Sequence, residues 1–89
     1  MIAIRILVTG RVQGVLFRAT AKKTADALGI TGWVRNTDDG NVEIHAEGSP
    51  ESMEQFQLWC HKGPPAAQVE NVTLEDAPEE QFTSFEIRR

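Results

Sequence analysis

Residues 2–29 read IAIRILVTGRVQGVLFRATAKKTADALG, and the first strand and the first helix of the chain are both predicted from this stretch. Its first part, Ile2–Val8, is rich in β-branched residues and predicts a strand that is buried along most of its length. From Phe17 to Leu28 apolar residues recur at three- and four-residue spacing, with charged residues on the other side. That period predicts a helix of about three turns, which Gly29 ends. A strand, a short glycine-containing link and a helix therefore open the chain.

Two further strands follow this first helix. Segments 31–37 and 41–47 flank Asp38-Asp39-Gly40-Asn41, whose residue types favour a turn with positive φ. In the second segment apolar residues alternate with polar ones, which predicts a hairpin with one buried face. The polar residues of that segment, which we expect at the surface, are Glu43, His45 and Glu47.

A second helix begins after the hairpin. Ser49 can cap it, Pro50 has no amide to leave unpaired in the first turn, and Glu51 favours the positive end of the helix dipole. Gly63-Pro64-Pro65 ends the pattern, so the helix finishes near residue 62.

The rest of the chain predicts one strand and a possible short second one. Apolar and polar residues alternate over 72–75, and again over 85–87 at what we expect to be a sheet edge. Two strand-helix-strand units imply right-handed crossovers, with both helices on one face of a mostly antiparallel sheet. The predicted fold is an α+β, ferredoxin-like sandwich of the βαββαβ type, formed by one domain over residues 1–89.

Composition limits the class of protein. With 89 residues, 40% of them hydrophobic, the chain has room for a single core and not for a multidomain enzyme. Cys60 is the only cysteine, so no intramolecular disulfide or thiolate metal cluster can form, and we expect a cytoplasmic location. No apolar run is long enough for a membrane span or a signal peptide.

Charge is distributed unevenly along the chain. The first 35 residues carry six basic side chains and one acidic one, whereas the whole chain has a net charge of −4 and a pI near 5.0. The acidic balance argues against a nucleic-acid partner, because a polyphosphate backbone would be repelled. A small anion, bound by the amino-terminal part, is the better expectation.

The link between the first strand and the first helix is Gly10-Arg11-Val12-Gln13-Gly14-Val15-Leu16-Phe17-Arg18. Glycines let the backbone approach a ligand, and the start of a helix offers unpaired amides and a positive dipole end. Arg18 adds a planar fork of donors that can hold phosphate at two points. The lysine and hydroxyl residue of a P-loop are missing. On this link alone, a tight turn beside a surface arginine is an equally good interpretation.

A second stretch resolves that choice. Residues 32–43 read GWVRNTDDGNVE. Together the two stretches resemble the acylphosphatase family, whose patterns are Gly-x-Val-Gln-Gly-Val-x-Phe-Arg and Gly-x-Val-x-Asn-x-x-Asp-Gly-x-Val-Glu. Every fixed position is present, and the resemblance covers nearly the whole chain.

The resemblance implies an enzyme that hydrolyses small acyl phosphates to a carboxylate and inorganic phosphate. It implies no cofactor, no metal and no covalent intermediate, and we expect a monomer. Arg18 matches the family's phosphate-binding arginine, and Asn36 matches the asparagine that orients the attacking water. Leu16 lies at a position that the pattern leaves open. The amides that match the phosphate-binding loop are those of Gln13, Gly14, Val15, Leu16 and Phe17.

Two other functions remain as alternatives. A ferredoxin-like sandwich can bind RNA through aromatic residues on its open face, but segment 41–47 has no such aromatic pair and carries Glu43 and Glu47. A non-catalytic module that binds phosphate or carbamoyl phosphate is the second alternative.

Several other reactive residue types have a simpler interpretation. We expect surface or capping roles for His45 and His61, and a buried, unreactive side chain for Cys60. Asp38 and Asp39 fit a turn better than a metal site. The tryptophans fit the core or a groove better than stacking platforms, and Arg11 and Arg35 either assist phosphate approach or lie at the surface. The tryptophans are Trp33 and Trp59.

Overall fold

Five strands and two helices make up the computed structural model, which describes residues 1–89. In chain order they are β1 (Ile2–Arg11), α1 (Phe17–Leu28), β2 (Thr31–Asn36), β3 (Val42–Gly48), α2 (Pro50–Lys62), β4 (Gln68–Asp76) and β5 (Phe85–Arg88).

The five strands form one sheet in the order β4-β1-β3-β2-β5. β1 lies between β3 and β4 and is antiparallel to both, and β2 is antiparallel to β3. β5 lies at the edge and runs parallel to β2. The predicted α+β sandwich with a mostly antiparallel sheet and a short fifth strand is therefore confirmed.

Both helices cover the same face of this sheet. The alternate residues of β1, Ile4, Ile6 and Val8, point into one buried cluster together with side chains of both helices. α1 contributes Phe17, Ala21 and Ala25. Because the two alanine side chains are small, the helix can lie close to the sheet. The cluster also holds Met53, Phe56 and Cys60 of α2 and Phe85 of β5.

The predicted helix ends are confirmed. Gly29 adopts a left-handed conformation after α1, with φ 70°. Ser49 precedes α2, and its hydroxyl accepts a hydrogen bond from the amide of Ser52 at 3.2 Å. These ends depend on local chemistry, which explains why the sequence predicts them well.

β1 and β4 are longer than the sequence predicts. β1 continues past Val8 to Arg11, because β4 begins at Gln68 and residues 68–76 pair with residues 4–11 of β1. Gly10 lies at an irregularity in this pairing, and a Cβ atom there would lie 2.2 Å from the carbonyl oxygen of Gln68. The glycine thus permits close approach of β4, not of a ligand.

The prediction that His45 and Glu47 lie at the surface is wrong, because both are fully buried. They lie on the sheet face opposite the helices, where the segment between β4 and β5 covers them. Glu47 accepts hydrogen bonds from the amides of Glu80 at 2.6 Å and Gln81 at 3.0 Å. The ring of Phe82 lies edge-on to the His45 ring.

Candidate active site

The link between β1 and α1 contains main-chain amides that have no hydrogen-bond acceptor in the protein. Gly14 has φ 73° and Leu16 has φ 65°, so the chain turns through two left-handed residues before α1 begins. Leu16 stands at the N-cap position and gives the helix no side-chain cap. None of the ten main-chain hydrogen bonds outside the helices and strands is donated by an amide between Gln13 and Phe17. Unpaired amides at a helix start bind oxyanions readily.

Arg18 stands in the first turn of α1, directly after these amides. Its side chain is half-buried, and Nη1 donates a hydrogen bond to the carbonyl oxygen of Arg88 at 3.2 Å. No other protein acceptor binds the Arg18 guanidinium, so most of its five N–H donors remain free for a ligand.

Asn36 is the last residue of β2. Its Oδ1 atom is buried and has no hydrogen-bond partner in the protein. A buried polar atom without a partner costs free energy, and such atoms in native proteins are usually paired with water or ligand. Oδ1 is therefore an acceptor available to a water molecule or a substrate.

One cleft of about 310 Å³ brings these features together. No acidic residue lines it, and it holds two guanidinium groups, so its charge favours an anion. Its lining residues are Val12, Gly14, Leu16, Phe17, Arg18, Ala19, Asn36, Ile87 and Arg89.

Most of the residues predicted from the sequence meet in this cleft, but two do not. The five that line it are Gly14, Leu16, Phe17, Arg18 and Asn36. Val15 instead packs, partly buried, against the core. The Gln13 side chain points to the loop between β2 and β3, where Nε2 donates to the carbonyl oxygens of Thr37 and Asn41.

Four lining residues were not singled out as site residues from the sequence. Val12 and Ala19 are sequence neighbours of the predicted residues, so the motif itself pointed to their vicinity. Ile87 and Arg89 reach the cleft because β5 runs parallel to β2 and pairs Ile87 with Val34. No local pattern in residues 85–89 encodes that parallel pairing.

The other arginines considered for phosphate binding lie elsewhere. Nε of Arg35 donates to Oε1 of Glu43 at 2.7 Å, and Arg5 contacts the other oxygen of the same carboxylate at 3.0 Å. Arg11 is exposed and does not line the cleft. Arg35 therefore does not line the cleft, and its guanidinium is held in a partly exposed ion pair with Glu43.

The remaining candidates have the structural roles expected of them. Burial raises the pKa of the Cys60 thiol to about 12, so this cysteine is not a nucleophile. Asp38 and Asp39 form the turn before β3, and a hydrogen bond from the Thr37 hydroxyl holds the pKa of Asp39 below its usual range.

Trp33 is buried beneath the guanidinium groups of Arg5 and Arg88, and Trp59 packs against the core.

Two further properties concern the whole chain. His, Cys, Asp and Glu side chains form no group of three or more with the arrangement of a metal site. Neither helix has the length and apolar character needed to cross a membrane.

Comparison with known proteins identifies relatives over almost the full length. The family model described as Acylphosphatase matches residues 4–87. A protein from Nocardioides sp. named Acylphosphatase is 49% identical over 86 residues, which cover 97% of this chain and 87% of that protein.

Solved structures agree with this sequence match. The crystal structure of acylphosphatase from Bacillus subtilis superposes with a TM-score of 0.97 at 38% identity, covering 100% of both chains. The structure of an acylphosphatase from Coxiella burnetii gives a TM-score of 0.94 at 40% identity, covering 98% of this chain and 92% of the other.

Proposed function

This chain belongs to the acylphosphatase family, and on that premise we propose how its own residues hydrolyse an acyl phosphate. Arg18 and the amides between Gln13 and Phe17 bind the phosphoryl group, and Asn36 orients the attacking water. The observation that carries the proposal is the buried, unpaired Oδ1 of Asn36, which lies in the same acid-free cleft as Arg18.

The substrate's phosphoryl oxygens would contact the free amides and the Arg18 guanidinium. Phosphoryl transfer depends mainly on positioning and on stabilising the charge spread over those oxygens. Arginine provides a permanent positive charge and parallel donors, and the unpaired amides provide fixed dipoles. Because these groups neutralise the developing charge, the reaction as proposed needs no metal ion and no other cofactor.

Asn36 would bind and orient the water through its unpaired Oδ1 atom. Oδ1 accepts a hydrogen bond from the water, whose oxygen then faces phosphorus opposite the leaving group. A bond forms between the water oxygen and phosphorus while the bond from phosphorus to the carboxylate oxygen breaks. The carboxylate leaves as a stable anion and requires little protonation.

The water's proton would pass to an oxygen of the substrate. No acidic residue lines the cleft, and Asn36 is not a base at neutral pH, so the lining includes no carboxylate suited to take it. We expect kcat to show no steep titration near neutral pH. A titration abolished by replacing one carboxylate or histidine would contradict this step.

Steady-state hydrolysis of benzoyl phosphate, with EDTA present, tests the proposal. We expect Arg18→Ala to lower kcat/KM by on the order of a hundredfold or more, as for a lost oxyanion donor. Asn36→Ala should lower kcat by a similar order while KM changes little, because water alignment matters chiefly in the transition state.

Arg11→Ala is the matched control, since Arg11 is an exposed arginine of the same segment outside the cleft. Its kcat/KM should stay close to that of the wild type. Folded Arg18→Ala and Asn36→Ala variants with unaltered turnover would contradict the proposed roles.

We also propose that the enzyme acts as a cytoplasmic monomer with one domain over residues 1–89 and no nucleic-acid partner. The single buried core, the net charge of −4 and the lone buried Cys60 support this. Sedimentation equilibrium tests the monomer, and a dimer at micromolar concentration would contradict it.

A further inference from the structure

The Gln13 side chain joins two loops that are distant in sequence. Its Nε2 atom donates to the carbonyl oxygen of Thr37 at 2.8 Å and to that of Asn41 at 2.7 Å. These acceptors lie 24 and 28 residues away, at the two ends of the loop between β2 and β3. Both protons of the amide group are therefore used, and both acceptors are main-chain atoms.

The loop that receives Gln13 is itself closed. The amide of Thr37 donates to the carbonyl oxygen of Asn41 at 2.9 Å, and the amide of Asn41 donates to the Thr37 hydroxyl at 3.0 Å. Gln13 thus holds a compact turn at both ends and not a flexible tip. No other side-chain hydrogen bond joins this turn to the link between β1 and α1.

The two segments joined by Gln13 carry the two halves of the candidate active site. Gly14 follows Gln13 directly within the segment of free amides, and Asn36 directly precedes Thr37. The Gln13 side chain does not itself line the cleft. It connects the main chain next to the phosphate-binding amides with the main chain next to the proposed water-binding residue.

We propose that the Gln13 side chain is a positioning residue that fixes Asn36 relative to the phosphate-binding amides. In-line attack requires the water and the phosphorus atom to be held at a set distance and angle, and an error of about 1 Å can cost a hundredfold in rate. This inference rests on the proposed function, because it assigns Gln13 a role only if Asn36 orients water.

The role predicts a specific kinetic signature. Loss of the two hydrogen bonds lets the turn that follows Asn36 move relative to bound substrate, while Arg18 and the amides still hold phosphate. We therefore expect kcat to fall by roughly tenfold to a hundredfold, with the inhibition constant for inorganic phosphate changed by less than about threefold.

Gln13→Met is the variant of choice, since methionine keeps the length of the side chain but donates no hydrogen bond. Gln13→Glu is the second variant: a carboxylate of the same shape would face two carbonyl oxygens without a proton to donate. Gln55→Met is the matched control, because Gln55 is exposed on α2, far along the chain from the cleft residues. Urea unfolding establishes that each variant is native under assay conditions.

A double-mutant cycle with Asn36→Ala separates positioning from a general structural role. If Gln13 acts through Asn36, then Gln13→Met should lower kcat for benzoyl phosphate by less than about threefold once Asn36 is alanine. Equal losses in both backgrounds would overturn the inference and leave the roles of Arg18 and Asn36 intact. A Gln13→Met variant with the kcat of the wild type would also overturn the inference. An Asn36→Ala single variant with unaltered kcat would instead contradict the proposed function, and the inference with it.

Discussion

Replacement of Glu47 by glutamine tests whether the ionised Glu47 carboxylate stabilises the fold. Glu47 is buried beside His45 on the sheet face opposite the helices. Burial alone would raise the pKa of this carboxyl group. The amide of Glu80, the His45 ring and the amide of Gln81 nevertheless hold it below its usual range by hydrogen bonding to the carboxylate. His45 Nε2 lies 2.7 Å from Oε2, so each carboxylate oxygen has at least one donor.

The structure sets the expected magnitude. In Glu47→Gln the side-chain amide can keep its oxygen toward His45 and Glu80, and its NH₂ group then faces the amide of Gln81. One hydrogen bond to a charged group, worth about 1.5–3 kcal/mol, is lost and the other two become weaker bonds to a neutral oxygen, while relief of the buried charge offsets part of this. We expect the free energy of unfolding at pH 7 to fall by about 3 kcal/mol.

The effect should depend on pH in one direction. Because the pKa of Glu47 is lower in the folded state, its ionised form stabilises the fold above the usual glutamate range. That contribution is lost as pH falls through the folded-state pKa. The difference in the free energy of unfolding between wild type and Glu47→Gln should therefore shrink as the pH falls below the pKa of an ordinary glutamate.

Urea unfolding followed by tryptophan fluorescence, from pH 7 to pH 3, measures this difference. Glu54→Gln is the matched control, because Glu54 is exposed on α2 and forms no ion pair. A difference between wild type and Glu47→Gln that stays constant across the pH range would refute the assignment of the stabilisation to the ionised carboxylate.

Three further predictions concern the backbone and the thiol. Gly32→Ala should lower the free energy of unfolding by about 3 kcal/mol or more, because Gly32 has φ 136° and the new Cβ atom would lie 1.8 Å from the carbonyl oxygen of His45. A urea midpoint equal to that of the wild type would contradict this. Leu16→Gly should leave the free energy of unfolding unchanged or raise it by about 1 kcal/mol, because it removes the cost of a left-handed conformation at a leucine that is 76% exposed and loses little packing. A clear fall in the free energy of unfolding, measured with urea, would contradict this. Cys60, with its pKa raised to about 12, should resist a disulfide reagent at pH 8 until guanidinium unfolds the chain; rapid modification of the native protein would argue against burial.

Local signals account for the parts of the fold that the sequence predicts well. The period of residues 17–28, the Gly29 stop and the Ser49 cap depend only on neighbouring residues. The same is true of the turn at Asp38-Asp39-Gly40-Asn41. Arg18 and Asn36 were assigned from motifs, and α1 and β2 bring both side chains to one cleft.

Contacts between distant segments account for the failures. His45 and Glu47 follow an alternation typical of an exposed face, and nothing near them shows that Glu80 and Gln81 cover that face. Such burial of a charged side chain requires donors that come from more than 30 residues away, and a strand pattern cannot encode them. Parallel pairing of β5 with β2, which brings Ile87 to the cleft, is hidden for the same reason.

In the proposed reaction, water attacks the phosphorus atom of an acyl phosphate held by Arg18 and the amides of the link before α1. Hydrolysis of benzoyl phosphate by the wild-type enzyme in water enriched in oxygen-18, with mass analysis of both products, shows which atom the water attacks. We predict the label in inorganic phosphate and none in benzoate, at a rate well above that of the same buffer without enzyme. Enzyme-dependent appearance of the label in benzoate would show attack at the carbonyl carbon and would contradict the account.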